Sequence, residues 1–312
     1  MGSPSGNRIL ANLGPAEIAR LKDDLELIPL VRGTELYGPG DAFEYVYFPI
    51  SGLVSLNTLT AVGQTTELAS VGSEGMVGVC LVLGNHKAVY QAAVSDAGLA
   101  YRLRAEVMTW ELAQGSHLLV KALEYSRLLM MQMAQLAVCS HHHTAEQRIV
   151  RWLLAHLDRL GGNSIARTQS EIAEALGIRR AVVNQSLGHL QAAGWLLASR
   201  GRVTVTDRNA LAARACECYA ALRQAEEERL ATPLPESSPA GDARPGSKTL
   251  RQRAEARWNR DRTSLADPLG ATAGLVHELE VHQIAIGHFL RRTGTTHRAR
   301  GHPRPCTGRS PA

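Results

Sequence analysis

Nowhere in the 312 residues does an apolar run reach the roughly 18 residues that a membrane-spanning helix needs. The opening stretch, MGSPSGNRILANLG, has no basic segment leading into an apolar core. No secretory leader is therefore expected, and the cytoplasm is the default location. Cysteine is scarce: Cys80, Cys139, Cys216, Cys218 and Cys306 are scattered and odd in number, which excludes a disulfide framework. Cys216 and Cys218 stand as C-x-C, not as the C-x-x-C of a zinc or redox site, so structural thiols are expected. The P-loop, G-x-S-x-G, H-E-x-x-H and dinucleotide fingerprints are all absent. Glu74 and His86, isolated candidates for acid–base work, read as surface groups, and no enzyme is expected.

What is present is an ordinary globular composition, 45% hydrophobic and 20% charged, long enough for about two domains. The net charge of +5 is unevenly spread. Residues 1–139 hold 9 basic and 13 acidic groups, whereas residues 140–215 hold 10 basic and 5 acidic ones. An acidic front and a basic second part point to a polyanionic partner for the second part alone.

The pattern changes along the chain. Ile9, Leu10, Leu13, Ile18, Leu21 and Leu25 follow a helical spacing, with Pro15 at a helix start. From about 28 to 104, glycines recur between short β-type runs at 44–48, 53–56, 66–71 and 92–94, which indicates a sandwich or barrel-like all-β unit. Between about 106 and 160 glycine and proline almost vanish, leaving only Gly115. Within this stretch Leu119 precedes Ala122, Ser126, Leu129, Met133 and Leu136, whose 4-3-4-3 spacing is that of a helix–helix seam. Such a helix packs either on its own β unit alone or on both that unit and a symmetry mate. A second helix runs from Thr144 to Leu160, with Thr144 and Gln147 spaced as a capping box.

Cys139 with His141, His142 and His143 lies at the hinge between these helices. A thiolate beside imidazoles is a composition that suits a metal or haem. Neighbouring residues on a helix point apart, however, so hinge-packing histidines and no metal are expected. Beyond 230, the Pro/Gly/Ser-rich 233–247 and the Arg-rich 292–312 read as disordered, with a weak apolar pattern at 269–292.

Residues 168–206 carry the clearest message. Thr168 caps a first helix, with Glu171 three residues on. Ile172, Ala173 and Leu176 form its apolar face, and Gly177 allows the left-handed turn that ends it. A second helix buries Val182, Val183, Leu187 and Leu190. Arg179, Arg180, Ala181, Asn184, Gln185 and His189 are left for the outward face. Arg180 suits guanine O6 and N7, and Asn184 and Gln185 suit adenine or phosphate. Thr168 and Gln169 stand at the first helix's N-terminus. A hairpin follows, its tip carrying Arg200 and Arg202 for phosphate contact. This is a winged helix-turn-helix for double-stranded DNA. The alternative is a ligand-binding or protein-interaction module whose helix-turn-helix does not read DNA.

These pieces, in this order, resemble the cyclic-AMP receptor protein / fumarate-nitrate regulator (Crp/Fnr) superfamily of bacterial transcription factors. The resemblance spans about 8–225 and rests on residues 36–41, 46–52 and 71–78, the 116–139 helix and the winged segment. It implies an α+β architecture with four parts: a jelly-roll sensor at 8–115, a dimerisation helix at 116–140, a winged helix at 141–230 and a disordered extension at 231–312. It also implies a homodimer on a two-fold operator, with RNA polymerase as a further partner and no membrane. The effector pocket it implies comprises Gly72, Glu74, Gly75, Met76, Val77, Gly78, Val79, Lys87 and Val89.

Three departures limit what carries over. In cyclic-nucleotide-binding members a Glu follows the glycine-rich turn to hold the ribose, and an Arg-Ser or Arg-Thr pair neutralises the phosphate. Here Val79 follows Gly78, and the later stretch reads Lys87-Ala88-Val89-Tyr90-Gln91, so no cyclic nucleotide is expected and any effector is a different one. The iron–sulfur members use N-terminal cysteines, and none precedes Cys80 here. Members that read TGTGA-like half-sites carry Arg-Glu and then Arg, where this chain has Arg180-Ala181 and then Asn184-Gln185.

Overall fold

A computed structural model describes residues 4–60 and 63–231. The expected disordered extension, the 269–292 pattern and Cys306 lie outside the described residues. Two short helices open the chain, α1 (Arg8–Ala11) and α2 (Pro15–Leu21), the second starting at Pro15 as its spacing predicts. The helical pattern does not extend through Leu25. The chain turns extended into β1 (Glu26–Leu30) because that segment pairs with a later strand, Glu26 facing Arg102.

There follow β2 (Glu35–Tyr37), β3 (Tyr45–Pro49), β4 (Leu53–Leu59), β5 (Thr65–Val71), α3 (Val79–Val82), β6 (Gln91–Asp96) and β7 (Gly98–Arg104). They form two antiparallel sheets, β1-β7-β3 and β2-β6-β4-β5, closed over one apolar core as a β-roll. Four of these strands match the predicted β runs. The short β1 and β2 and the Arg-bearing β7 lack clean alternation and are placed by pairing.

After α4 (Ala105–Ala113) comes the long α5 (His117–His142), then α6 (Ala145–Leu160), capped reciprocally by Thr144 and Gln147. The rest comprises β8 (Ser164–Ile165), α7 (Gln169–Leu176), α8 (Arg180–Ala192), β9 (Leu196–Ser199), β10 (Arg202–Val205), α9 (Arg208–Ala212) and α10 (Glu217–Ala231). A second apolar core holds α6 to β10 together around Trp152, Leu153, Leu176, Val183, Leu187 and Val203. Among the described residues no helix is long and apolar enough to cross a membrane.

The predicted seam on α5 is taken up, over its first half, by the chain's own roll. Leu118, Ala122, Tyr125, Ser126, Leu128 and Leu129 are buried. Leu119, Met133 and Leu136 are half-buried. The uncovered apolar residues are Leu123, Met130, Met131, Ala134, Ala137 and Val138. Apolar residues surround much of α5, so more than one 4-3-4-3 line can be drawn through it. The roll takes the line through Ala122, Ser126 and Leu129. The line one residue on stays open.

Polar contacts join the roll to the helices behind it. Glu67 of β5 accepts from Trp152 Nε1 at 3.1 Å and from Ser55 Oγ at 2.7 Å, with His156 Nε2 at 3.5 Å. Arg159 of α6 donates to Glu74 at 2.8 Å, and Arg167 pairs with Asp96. Burial opposes ionisation of Glu67 and Glu74, but His156 and Arg159 respectively outweigh it and hold both carboxyls below the usual range. Glu74 is therefore a buried anchor and not the surface group its isolation in sequence suggests. A polar cavity of about 330 Å³ lies along this boundary, lined by Glu67, Glu74, Trp152, Arg159, Tyr219 and Glu226 among others.

Candidate nucleic-acid interface

The reading module is built by local signals. Thr168 Oγ1 accepts from the Glu171 amide at 3.2 Å, and the Glu171 carboxylate accepts from the Thr168 amide at 2.7 Å. Two of the free donors at the start of α7 are thus satisfied, a cap whose loss typically costs about 1 kcal/mol. Gly177 ends α7 in the left-handed region, at φ +61°, where a side chain would be strained. Arg179 then caps α8, and Val183, Ser186, Leu187 and Leu190 turn inward while Val182 stays half-buried.

Arg179, Arg180, Ala181, Asn184, Gln185 and His189 all lie exposed along one side of α8. They form a continuous row from the helix start, the part of a recognition helix that meets base edges. Gln169 Nε2 donates to Asn184 Oδ1 at 3.0 Å, a bond that uses the amide oxygen and not the amide nitrogen of the exposed Asn184. The Thr168 hydroxyl oxygen accepts the cap bond, which leaves its O–H as a donor. His189 stands 3.7 Å from Glu146, at the far end of the row. Beside α8 the β9–β10 hairpin turns at Gly201 with exposed Arg200 and Arg202. Arg202 donates to Ser164 Oγ at 3.1 Å, which steadies its guanidinium at the edge of the wing.

The structure also sorts the positive charge of residues 140–215. Arg159, Arg167, Arg208 and Arg214 are paired with Glu74, Asp96, Asp158 and Glu146. Arg148 donates to the Leu176 carbonyl at 2.6 Å. Arg151, half-buried beside the cavity behind the roll, and Arg179, Arg180, Arg200 and Arg202 have no carboxylate partner among the described residues, and the last four are exposed on the face of α8 and the wing. The acidic residues of α7 are turned the other way. Glu171 pairs with Arg32 of the roll, and Glu174 accepts from Thr65. The sequence could show a basic segment, but not that its exposed unpaired arginines collect on one face.

The expected effector pocket does not come together as a pocket wall. Met76, Val77 and Val79 sink into the roll core. Gly75 lies against α5 so closely that a Cβ there would stand 2.0 Å from the Tyr125 ring. Glu74 turns away to Arg159, while Lys87 and Val89 are exposed on the surface. The neighbouring interior is filled by aromatics, with the Tyr37 and Phe43 rings edge to face at 5.0 Å and Tyr90 beside them. The glycine-rich turn is thus a packing joint between roll, α5 and α6.

The hinge holds a further grouping that the sequence kept apart. Cys139 and His143, from the end of α5, meet Cys216 and Cys218 at the start of α10. His141 and His142 are exposed.

Comparison with known proteins agrees with this architecture. Residues 27–114 match the cyclic nucleotide-binding domain model, and residues 147–214 match the Crp-like helix-turn-helix domain model. The global nitrogen regulator of Synechococcus elongatus is 24% identical over 62% of this chain and 92% of its own length. The CRP-like cAMP-activated global transcriptional regulator of Mycobacterium tuberculosis is 23% identical over 66% of this chain and 96% of its own. FixK2 of Bradyrhizobium japonicum shares the fold, with a TM-score of 0.55 and 17% identity, over 62% of this chain and 98% of that one. Roll, long helix and winged helix-turn-helix recur in the same order, and the chain belongs to the Crp/Fnr family of transcriptional regulators.

Proposed function

We propose that this regulator works as a homodimer that reads a roughly two-fold operator in double-stranded DNA, one winged helix per half-site. The observation that carries this reading is the row of exposed donors on α8 and the wing, with no carboxylate partner among the described residues. Arg180, in the first turn of α8, is placed for guanine O6 and N7, with Asn184 and Gln185 behind it for adenine. Arg179, Arg200 and Arg202 suit phosphates on either side and fix the register. The second copy covers Leu123, Met130, Ala134 and Ala137 of α5, which fall on one seam with Arg127 between the first two. Two recognition helices about 34 Å apart would then face successive turns of one DNA side.

The roll takes no cyclic nucleotide in this reading. Val79 is buried where the ribose-binding carboxylate would stand, and Lys87, single and exposed, replaces the arginine pair. An effector of other chemistry would act by favouring one docking of roll and reader over another. The regulator catalyses no reaction, acts in the cytoplasm and meets RNA polymerase at the promoter.

Gel shifts with genomic fragments under excess nonspecific DNA test the reading, with sedimentation of the free protein alongside. A competitor-resistant complex and a dimer are expected, and Met130→Glu should yield a monomer with weakened site binding. A monomeric native chain, or binding that nonspecific DNA abolishes, would overturn it.

A further inference from the structure

At the hinge between α5 and the winged helix, four donors converge from two parts of the chain. Cys139 and His143 are four residues apart at the end of α5, a spacing that brings side chains to one face. His143 ends the helix in extended backbone, which lets its ring turn back toward Cys139. Cys216 precedes α10 and Cys218 lies in its first turn, and the chain's entry into the helix brings both thiols to the same side. The four ligand atoms lie within 4.8 Å of one another. The three cysteines are buried and form a small cluster apart from both apolar cores.

Two of the separations match the edges of a mononuclear tetrahedral site. Zinc–sulfur bonds of about 2.3 Å and zinc–nitrogen bonds of about 2.0 Å set tetrahedral edges of about 3.8 Å between sulfurs and about 3.5 Å from sulfur to nitrogen. Here Cys139 Sγ is 3.7 Å from Cys216 Sγ, and Cys218 Sγ is 3.4 Å from His143 Nδ1. A polynuclear iron–sulfur cluster interposes several atoms between its ligands and needs a wider cage. The outer contacts fit as well. His143 Nε2 lies 3.0 Å from Glu217 Oε1, the carboxylate–histidine arrangement that leaves Nδ1 as the free lone pair. Gln135 Nε2 donates to Cys218 Sγ at 3.0 Å.

We propose that Cys139, His143, Cys216 and Cys218 bind one structural zinc ion that ties the end of α5 to the start of α10. On binding, the three thiols go on as thiolates, their protons are released to solvent, and no redox change takes place. The set is closed, with four protein ligands and no position left for water, so its role is architectural. It fixes the joint through which α5 meets the reading module. The inference does not depend on how the protein reads DNA.

Metal analysis of the full chain, purified under reducing conditions, tests it. Stoichiometric zinc is expected, retained in Cys80→Ser and lost in Cys216→Ser/Cys218→Ser. Glu217→Ala should weaken zinc binding by roughly 10–100-fold. Should the cysteine variants not fold, cobalt(II) added to the chelator-treated native chain supplies the second readout. Intense ligand-field bands of a tetrahedral thiolate site, abolished by equimolar zinc, are expected. Trace zinc with a weak octahedral cobalt spectrum would overturn the proposal. So would an iron cluster, or a Cys139–Cys216 disulfide in protein alkylated at lysis.

Discussion

The winged helix and the β-roll are both compact units with their own apolar cores, yet they use their distinctive residues in opposite ways. In the winged helix, Arg180, Asn184, Gln185 and Arg200 stand exposed outside the core. In the roll, the residues that mark the effector turn face inward. Gly75 makes room for Tyr125, Glu74 anchors Arg159, and Val77 and Val79 fill the core. Binding and stability are therefore separable in the reader and merged in the roll. The turn of a domain matched to a ligand-binding family here does structural work.

The strongest way to break this contrast is at Gly75. An added methyl meets the buried Tyr125 ring at 2.0 Å, and overpacking of this kind costs about 3 kcal/mol or more. Gly75→Ala should lower the urea midpoint sharply. A midpoint within error of the native chain would mean that the turn is not the joint described. The reciprocal change in the reader is Arg180→Ala. Specific DNA affinity should fall by about 1–3 kcal/mol, while folding stability moves by no more than about 0.5 kcal/mol. Footprints of unchanged strength would place the reading surface elsewhere.

A gentler effect is expected in acid. Glu67 and Glu74 have folded values below their unfolded ones. Their contribution is thus complete above the ordinary carboxylate range near about 4.3, and is lost as pH falls through the lowered values. Denaturation midpoints measured from pH 7 downward should decline below that range, and Glu67→Gln/Glu74→Gln should flatten the decline. An acid limb unchanged in the double variant would assign it to other carboxylates.

Much of the reader was legible because its signals are local. Thr168 with Glu171, Gly177 at the turn, and the alternation of Val183, Leu187 and Leu190 with Arg180 and Asn184 each depend on near neighbours along the chain. The roll was legible only in part. Strands with strong β-type runs stand out, whereas β1 and β2 exist because β7 and β6 pair with them. The line on α5 was ambiguous for a similar reason. Sequence spacing defines a helical stripe but not which of two adjacent stripes a distant sheet will cover.

The hinge shows the limit most plainly. Cys139 and His143 carry a helical spacing that suits shared ligation, and C-x-C is a weak signal by itself. Seventy-odd residues separate the pairs, and no local rule brings them together. The chain alone determined the capping, the turn chemistry, the basic second half and the order of the parts, because each follows from conformational preference or charge within a few residues. Only the tertiary structure decided which arginines stay free, which stripe of α5 stays open, that Glu74 is buried, and that three thiols and an imidazole meet. Those outcomes depend on which distant surfaces pack together, since burial and pairing energies are set by whole faces of the molecule.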